Sequence, residues 1–175
     1  MATILNTNGT ALHIPEIDDK VAGKFYVVTA EWNQDITHAL RDGALGTLRR
    51  AGIRKEQIIS VGVPGTVELV NAARFFVNNS KGRPGTGFRD ATEAVIIIGC
   101  VIRGDTPHFD YVCDIVAQGT ASINALGETP VIFGVLTVNE LSQAQERAGG
   151  KLGNKGEEAA VAALEMANMH ARFEI

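Results

Sequence analysis

The nine residues Ala94–Ile102 (AVIIIGCVI) carry no charge and no polar side chain apart from the Cys100 thiol. The run is too short to cross a bilayer, which takes ~20 apolar residues. It also lacks the polar alternation of a strand with one face in water. It is expected to be a strand buried on both faces, inside a sheet covered by helices on each side. Phe25–Ala30 and Ile58–Val63 read the same way, and Pro130–Leu136 supplies a fourth strand.

Between these runs the apolar period becomes helical. From Ile36 it falls at Ala39, Leu40, Ala44, Leu48 and Ala51, and Gly52 ends it. Val67, Val70, Arg74 and Val77 mark the turns of a second helix, and Phe109–Leu126 forms a third. Asn139–Ala148 and Gly156–Arg172 are two more, around a glycine-rich joint at Gly149–Gly156. Strand–helix alternation with apolar strands predicts an α/β fold, a three-layer αβα sandwich on a four-stranded parallel sheet with right-handed crossovers. Ser80–Asp90 (SKGRPGTGFRD) is a polar Gly/Pro-rich stretch expected to be an exposed loop. Residues 24–175 are expected to form one domain. Residues 1–23 form an N-terminal arm with no evident partner, free to add a strand to a neighbouring subunit.

Several function classes drop out. Apolar residues at 45% and charged residues at 21% match an ordinary globular protein. A net charge of −4 argues against a broad nucleic-acid footprint, and the basic Arg49-Arg50 and Arg54-Lys55 flank a helix end, where cations complement the dipole. Met1–Thr10 lacks the basic flank and apolar core of a secretory signal, so a cytoplasmic protein with no membrane partner is expected. Cys100 and Cys113 make no disulfide framework and lack zinc-site spacing, and the four histidines are scattered, so no metal is expected. No G-x-G-x-x-G follows the first strand, and no G-x-x-x-x-G-K-[ST] or G-x-S-x-G occurs. Gly150–Gly156 has the composition of a phosphate loop, but it follows a helix.

Ligands of an open parallel sheet bind beyond the carboxyl ends of its strands. Those ends carry Glu31-Trp32-Asn33, Pro64–Glu68, Arg103–His108 and Leu136-Thr137. Taken singly, each residue has two readings. The amides around Asp105 and Thr106 could bind an anion at a helix start, or the two side chains could cap that helix. Trp32 could stack on a ligand or cover the sheet edge. His108 could be a surface residue, and Glu68, Arg147 and Lys155 could offset helix dipoles.

Taken together, the segments resemble one family. Val63–Glu68 (VPGTVE), Gly99–Val112 (GCVIRGDTPHFDYV), Pro130–Thr137 (PVIFGVLT), Glu146–Glu158 (ERAGGKLGNKGEE) and Glu165–Asn168 follow the pattern of the lumazine synthases, in order, across residues 24–173. The resemblance implies a flavodoxin-like winding and the penultimate reaction of riboflavin biosynthesis. In that reaction 5-amino-6-(D-ribitylamino)uracil condenses with 3,4-dihydroxy-2-butanone 4-phosphate, water and phosphate are lost, and no cofactor is needed. By the same resemblance Trp32 stacks on the pyrimidine, Thr66, Val67 and Glu68 hold the ribityl chain, and Cys100, Val101 and Ile102 flank the ring. Asp105 and Thr106 form the phosphate loop and His108 moves protons. Phe133 and Arg147 come from the neighbouring subunit, Arg147 clasping the phosphate, and Lys155 has a lesser role nearby. Thr66, Val67 and Val70 depart from the residues common in the family, which affects the shape of the ribityl pocket. Small-molecule substrates and pentameric rings are implied. The short RAGGKLGNKG joint further implies a sixty-subunit shell, with riboflavin synthase as an enclosed partner. A non-catalytic flavin or lumazine binder, or a shell protein with a vestigial site, is the alternative. His108, Arg147 and the phosphate loop favour the enzyme.

Overall fold

A computed structural model describes residues 12–78, 91–127 and 129–173. The elements run β1 (Lys24–Ala30), α1 (Gln34–Arg50), a 3-10 turn at Lys55–Gln57, β2 (Ile58–Val63), α2 (Glu68–Asn78) and β3 (Thr92–Ile102). After these come α3 (His108–Asn124), β4 (Val131–Val138), α4 (Leu141–Arg147), β5 (Ala148–Gly150), β6 (Gly153–Asn154) and α5 (Lys155–Phe173). The main sheet has the order β2-β1-β3-β4, and all its pairings are parallel. This is the flavodoxin-like winding, with the strand order reversing between β1 and β3.

Side chains of alternating parity build a core on each face. Phe25, Val27, Ile96 and Ile98 meet Leu40, Ala44 and Leu48 of α1 and the small face Ala159, Ala160 and Ala163 of α5. Val28, Ala30, Val95 and Ile97 meet Leu69, Ala73 and Val77 of α2 and Val116 and Ile123 of α3. Burial of each large aliphatic stabilises the fold by ~1.5–3 kcal/mol, so β3, apolar to both sides, belongs in the interior of the sheet.

The last helix is held against the first at very short range. A Cβ on Gly156 would run into the Leu40 carbonyl, so only glycine lets the two backbones approach this closely. Asn154 fastens the contact. Its Oδ1 accepts from the Gly156 amide at 2.8 Å and the Glu157 amide at 3.3 Å, while its Nδ2 donates to Ala39 O at 3.0 Å.

Element boundaries differ from expectation where polar residues interrupt the apolar pattern. β3 starts at Thr92 rather than Ala94, because the Thr92 hydroxyl finds an acceptor in Phe76 O at 3.2 Å. β4 runs to Val138, through the exposed Thr137. The glycine-rich joint is a small antiparallel hairpin of β5 and β6, with Gly149 and Gly153 at φ 113° and 76°. Residues 12–23 do have a partner, and it is their own chain: Ile14, Ile17 and Val21 pack on the α1–α5 core. Asp18 N donates to Asn168 Oδ1 at 2.9 Å, and Asn168 Nδ2 donates to Glu16 O at 2.8 Å. The rest of the expected arm, residues 1–11, and the expected loop Ser80–Asp90 lie outside the described residues. Among the described residues no helix is long and apolar enough to cross a membrane, and no group of three or more His, Cys, Asp or Glu is placed to hold a metal ion.

Candidate active site

A cavity of about 490 Å³ opens beyond the carboxyl ends of β1, β2 and β3. Its wall gathers Trp32, Thr66, Val67, Glu68, Cys100, Val101, Ile102, Thr106 and His108. Trp32 is 74% exposed, so it covers no sheet edge, and its indole is free to meet a ligand. The turn that presents it is fixed on both sides. Before it, the Glu31 carboxylate accepts from Gln34 Nε2 at 3.1 Å and faces His38 Nε2 at 3.3 Å. After it, Asn33 adopts a left-handed backbone (φ 59°, ψ 48°) and donates from Nδ2 to Cys100 O at 2.9 Å. Asparagine tolerates this conformation better than most non-glycine residues. Asn33 lines the cavity and was not among the expected site residues; its one signal in sequence is an asparagine between a strand end and a helix start.

The helix start beside His108 favours an anion. Pro107 is the N-cap of α3 and makes no side-chain cap bond. Neither Asp105 nor Thr106 therefore caps the helix. The first-turn amide that finds a backbone acceptor is that of Asp110, bonded to Pro107 O at 3.0 Å, so the earlier N–H groups and the dipole remain for a ligand. Gly104, Thr106 and His108 line the cavity; the exposed Asp105 does not. Burial pushes the Cys100 thiol up to about 11, so it is a neutral wall group and not a nucleophile. The Cys113 thiol is raised too, by burial first and then by the Asp110 carboxylate.

A second cavity, of about 340 Å³, follows the edge strand β4 from Phe133 to Val138 and is closed by Gln143, Arg147 and Lys155. Arg147 Nη1 donates to Gln143 O at 3.0 Å, which occupies one of the guanidinium's five N–H donors. Lys155 is buried, with Nζ 2.7 Å from both carboxylate oxygens of Glu158. It opens α5, the end where a cation opposes the dipole, so dipole compensation does not explain it. The two cavities share no lining residue. A single chain thus brings the Trp32 and His108 group together and the Phe133, Arg147 and Lys155 group together, but does not join the two.

An open parallel sheet with a concave site at its carboxyl ends, and a helix start and a histidine in its wall, is the architecture of an α/β enzyme for small-molecule substrates. The profile of the 6,7-dimethyl-8-ribityllumazine synthase family matches residues 22–171, and the chain belongs to that family. It is 51% identical to the 6,7-dimethyl-8-ribityllumazine synthase of Bacteroides fragilis over 143 residues, 82% of this chain and 93% of that one. The Porphyromonas gingivalis enzyme of the same name is 50% identical over 82% of this chain and 83% of its own length. That of Cytophaga hutchinsonii is 44% identical over 92% of this chain and 93% of its own.

Proposed function

We propose that the chain condenses 5-amino-6-(D-ribitylamino)uracil with 3,4-dihydroxy-2-butanone 4-phosphate to 6,7-dimethyl-8-ribityllumazine, the penultimate step of riboflavin biosynthesis. The observation that carries this reading is the grouping of Trp32, the 66–68 turn and the His108 helix start around one cavity. Trp32 stacks on the pyrimidine, Cys100–Ile102 line its edge, and Thr66–Glu68 hold the ribityl hydroxyls. The Gly104–Thr106 loop and the first amides of α3 take the phosphate. The substrate amine attacks the ketone and expels water as an imine forms. A proton then leaves the adjacent carbon, phosphate departs, and the ribitylamino nitrogen closes the ring on the remaining carbonyl with loss of a second water. His108 carries the protons, while orientation of two bound substrates supplies much of the acceleration. A binder of riboflavin alone would need neither the anion-binding helix start nor Arg147.

The active site closes between copies of the chain. Phe133 and Arg147 from one copy complete the cavity of the next, and Arg147 meets the phosphate with two parallel bonds as charge develops on it. The separation of the two cavities within one chain supports this, as does the half-buried Phe133 on an edge strand. The assembly is a pentameric ring, packed into a sixty-subunit shell through the short β5–β6 joint, and it works in the cytoplasm.

Mixing both substrates with chelator-treated protein and following lumazine absorbance tests the activity. Formation no faster than the uncatalysed condensation would sink it. Light scattering tests the assembly. A particle of about 90 kDa, five copies of the 18.6 kDa chain, with nothing near a megadalton, would remove the shell and leave the ring.

A further inference from the structure

Arg103 follows the last residue of β3 and precedes the anion-binding loop, and three of its five guanidinium N–H donors are engaged by Asp110 and Asn139. Nη2 donates to Asp110 Oδ1 at 2.8 Å and Nη1 to Asp110 Oδ2 at 3.5 Å, while Nε donates to Asn139 Oδ1 at 3.2 Å. Its Cζ lies 4.1 Å over the centre of the Phe109 ring. The Arg103 amide also donates to Val138 O at 2.9 Å. Asn139 is itself held, because its amide donates to Gln143 Oε1 at 2.9 Å. One side chain therefore joins the start of the 104–108 loop to the first turn of α3, where the loop ends, and to the turn after β4.

The pair is too wet to serve as a stability device. The Arg103 and Asp110 side chains are 44% and 57% exposed, and exposed pairs contribute little to global stability. The forked contact, the stacked ring and the second acceptor instead fix a direction, which a guanidinium does and an ammonium does not. We infer that Arg103 is a positioning residue: it clamps the two ends of the 104–108 loop so that the loop amides and His108 hold a phosphate-bearing substrate in register. It does not itself touch the phosphate. This rests on the proposed function, which places the phosphate at that loop.

The test compares Arg103→Met, Arg103→Lys, Asp110→Asn and the double variant Arg103→Met/Asp110→Asn in the assembled protein. Displacing a loop that orients substrate raises KM for the butanone phosphate and lowers kcat, each by about tenfold. Uracil affinity, read from quenching of Trp32 emission, stays within about twofold because that wall is untouched. Arg103→Lys does not rescue, and the double variant is no worse than Arg103→Met, since both changes open one clamp. Asn139→Ala, which removes only the Nε bond, shifts KM in the same direction by less. Binding of inorganic phosphate, measured by calorimetry, gives the same ranking without turnover. Tighter phosphate binding in Asp110→Asn would mean that the freed guanidinium is a direct ligand and would overturn the clamp. Equal loss of uracil and phosphate binding would make the role merely structural, and unchanged KM in every variant would also overturn it. An inactive unsubstituted protein that still shows the phosphate ranking would overturn the proposed function and leave the clamp standing.

Discussion

The two cavities are made in different ways. The one holding Trp32 and His108 is built from turns that leave three strands, and its key groups stand exposed on short, well-anchored loops. The one holding Arg147 runs along a strand edge, and its second cation, Lys155, is buried and paired with Glu158. The first surface can recognise a flat ring and move protons, because its walls are apolar with a titratable group at the rim. The second can hold a fixed positive charge and little else. Under the proposed function the chemistry of one reaction is divided between these two surfaces of the same chain. Under the proposed function, neither half can work before copies of the chain meet.

The strongest way to break this comparison is complementation. Thr106→Asp places a carboxylate in the anion loop, and Arg147→Ala removes the cation on the other surface. Each variant alone should lose ~10²–10³ in kcat, the scale of a lost charge-stabilising group. Unfolding and reassembling the two as an equal mixture should restore activity to about one quarter of the unsubstituted level, since one interface in four then pairs two intact surfaces. Lumazine formation checks this, and no recovery would place both groups in one chain's own site.

His108→Ala should have a smaller effect on turnover, about tenfold, below the 10²–10⁴ usual for acid–base groups, because orientation and imine formation persist. Uracil binding should hold. If the uracil dissociation constant rose as much as kcat fell, the division of labour within the first cavity would be wrong.

Much of this was legible in sequence because burial leaves a period. The apolar run at 94–102 located the inner strand, and the strand ends located the loops that line the first cavity. Thr137 and Thr92 misplaced strand ends, since a polar residue inside a parallel strand looks like a boundary until its partner in space is known. Asn33 and Arg103 were not assigned roles. An asparagine in a turn is commonplace, and nothing in sequence marks it as left-handed or as bonded to Cys100 O, 67 residues away. The Arg103 contacts with Asp110 and Asn139 likewise exist only once α3 and the turn after β4 have been brought to the end of β3.

Asn33 offers a finer probe of the first cavity. Asn33→Ala should lower stability by ~1–2 kcal/mol, the cost of a left-handed backbone without asparagine's compensation, and should weaken uracil binding by loosening Trp32. Asn33→Gly relieves the backbone but leaves Cys100 O without its donor, so it should fall between the two. Urea unfolding ranks the three proteins.

The smallest effect concerns the thiol in the same wall. Folding raises the Cys100 pKa from an ordinary value of 9.0 to about 11. Between these values the unfolded chain binds fewer protons than the folded one, so stability present below pH 9 is lost as pH rises through 11, by ~3 kcal/mol at most. Cys100→Ala should remove that part of the slope. Parallel urea curves at pH 8 and 10.5 for the two proteins check the difference, and an identical pH dependence would contradict it.

The contact between Gly156 and the Leu40 carbonyl bears on how the protein is made. The helix that completes the cover over Phe25, Val27, Ile96 and Ile98 leaves the ribosome after all four sheet strands, and it seats against the first helix. A nascent chain that already carries all four sheet strands still has this face only partly roofed, and the β4 edge is open as well. Contacts this distant along the chain are slow to form, and partly covered sheets associate wrongly. Synthesis therefore passes through an interval in which a chaperone would find this chain as a client, and the interval closes when the α5 backbone reaches α1.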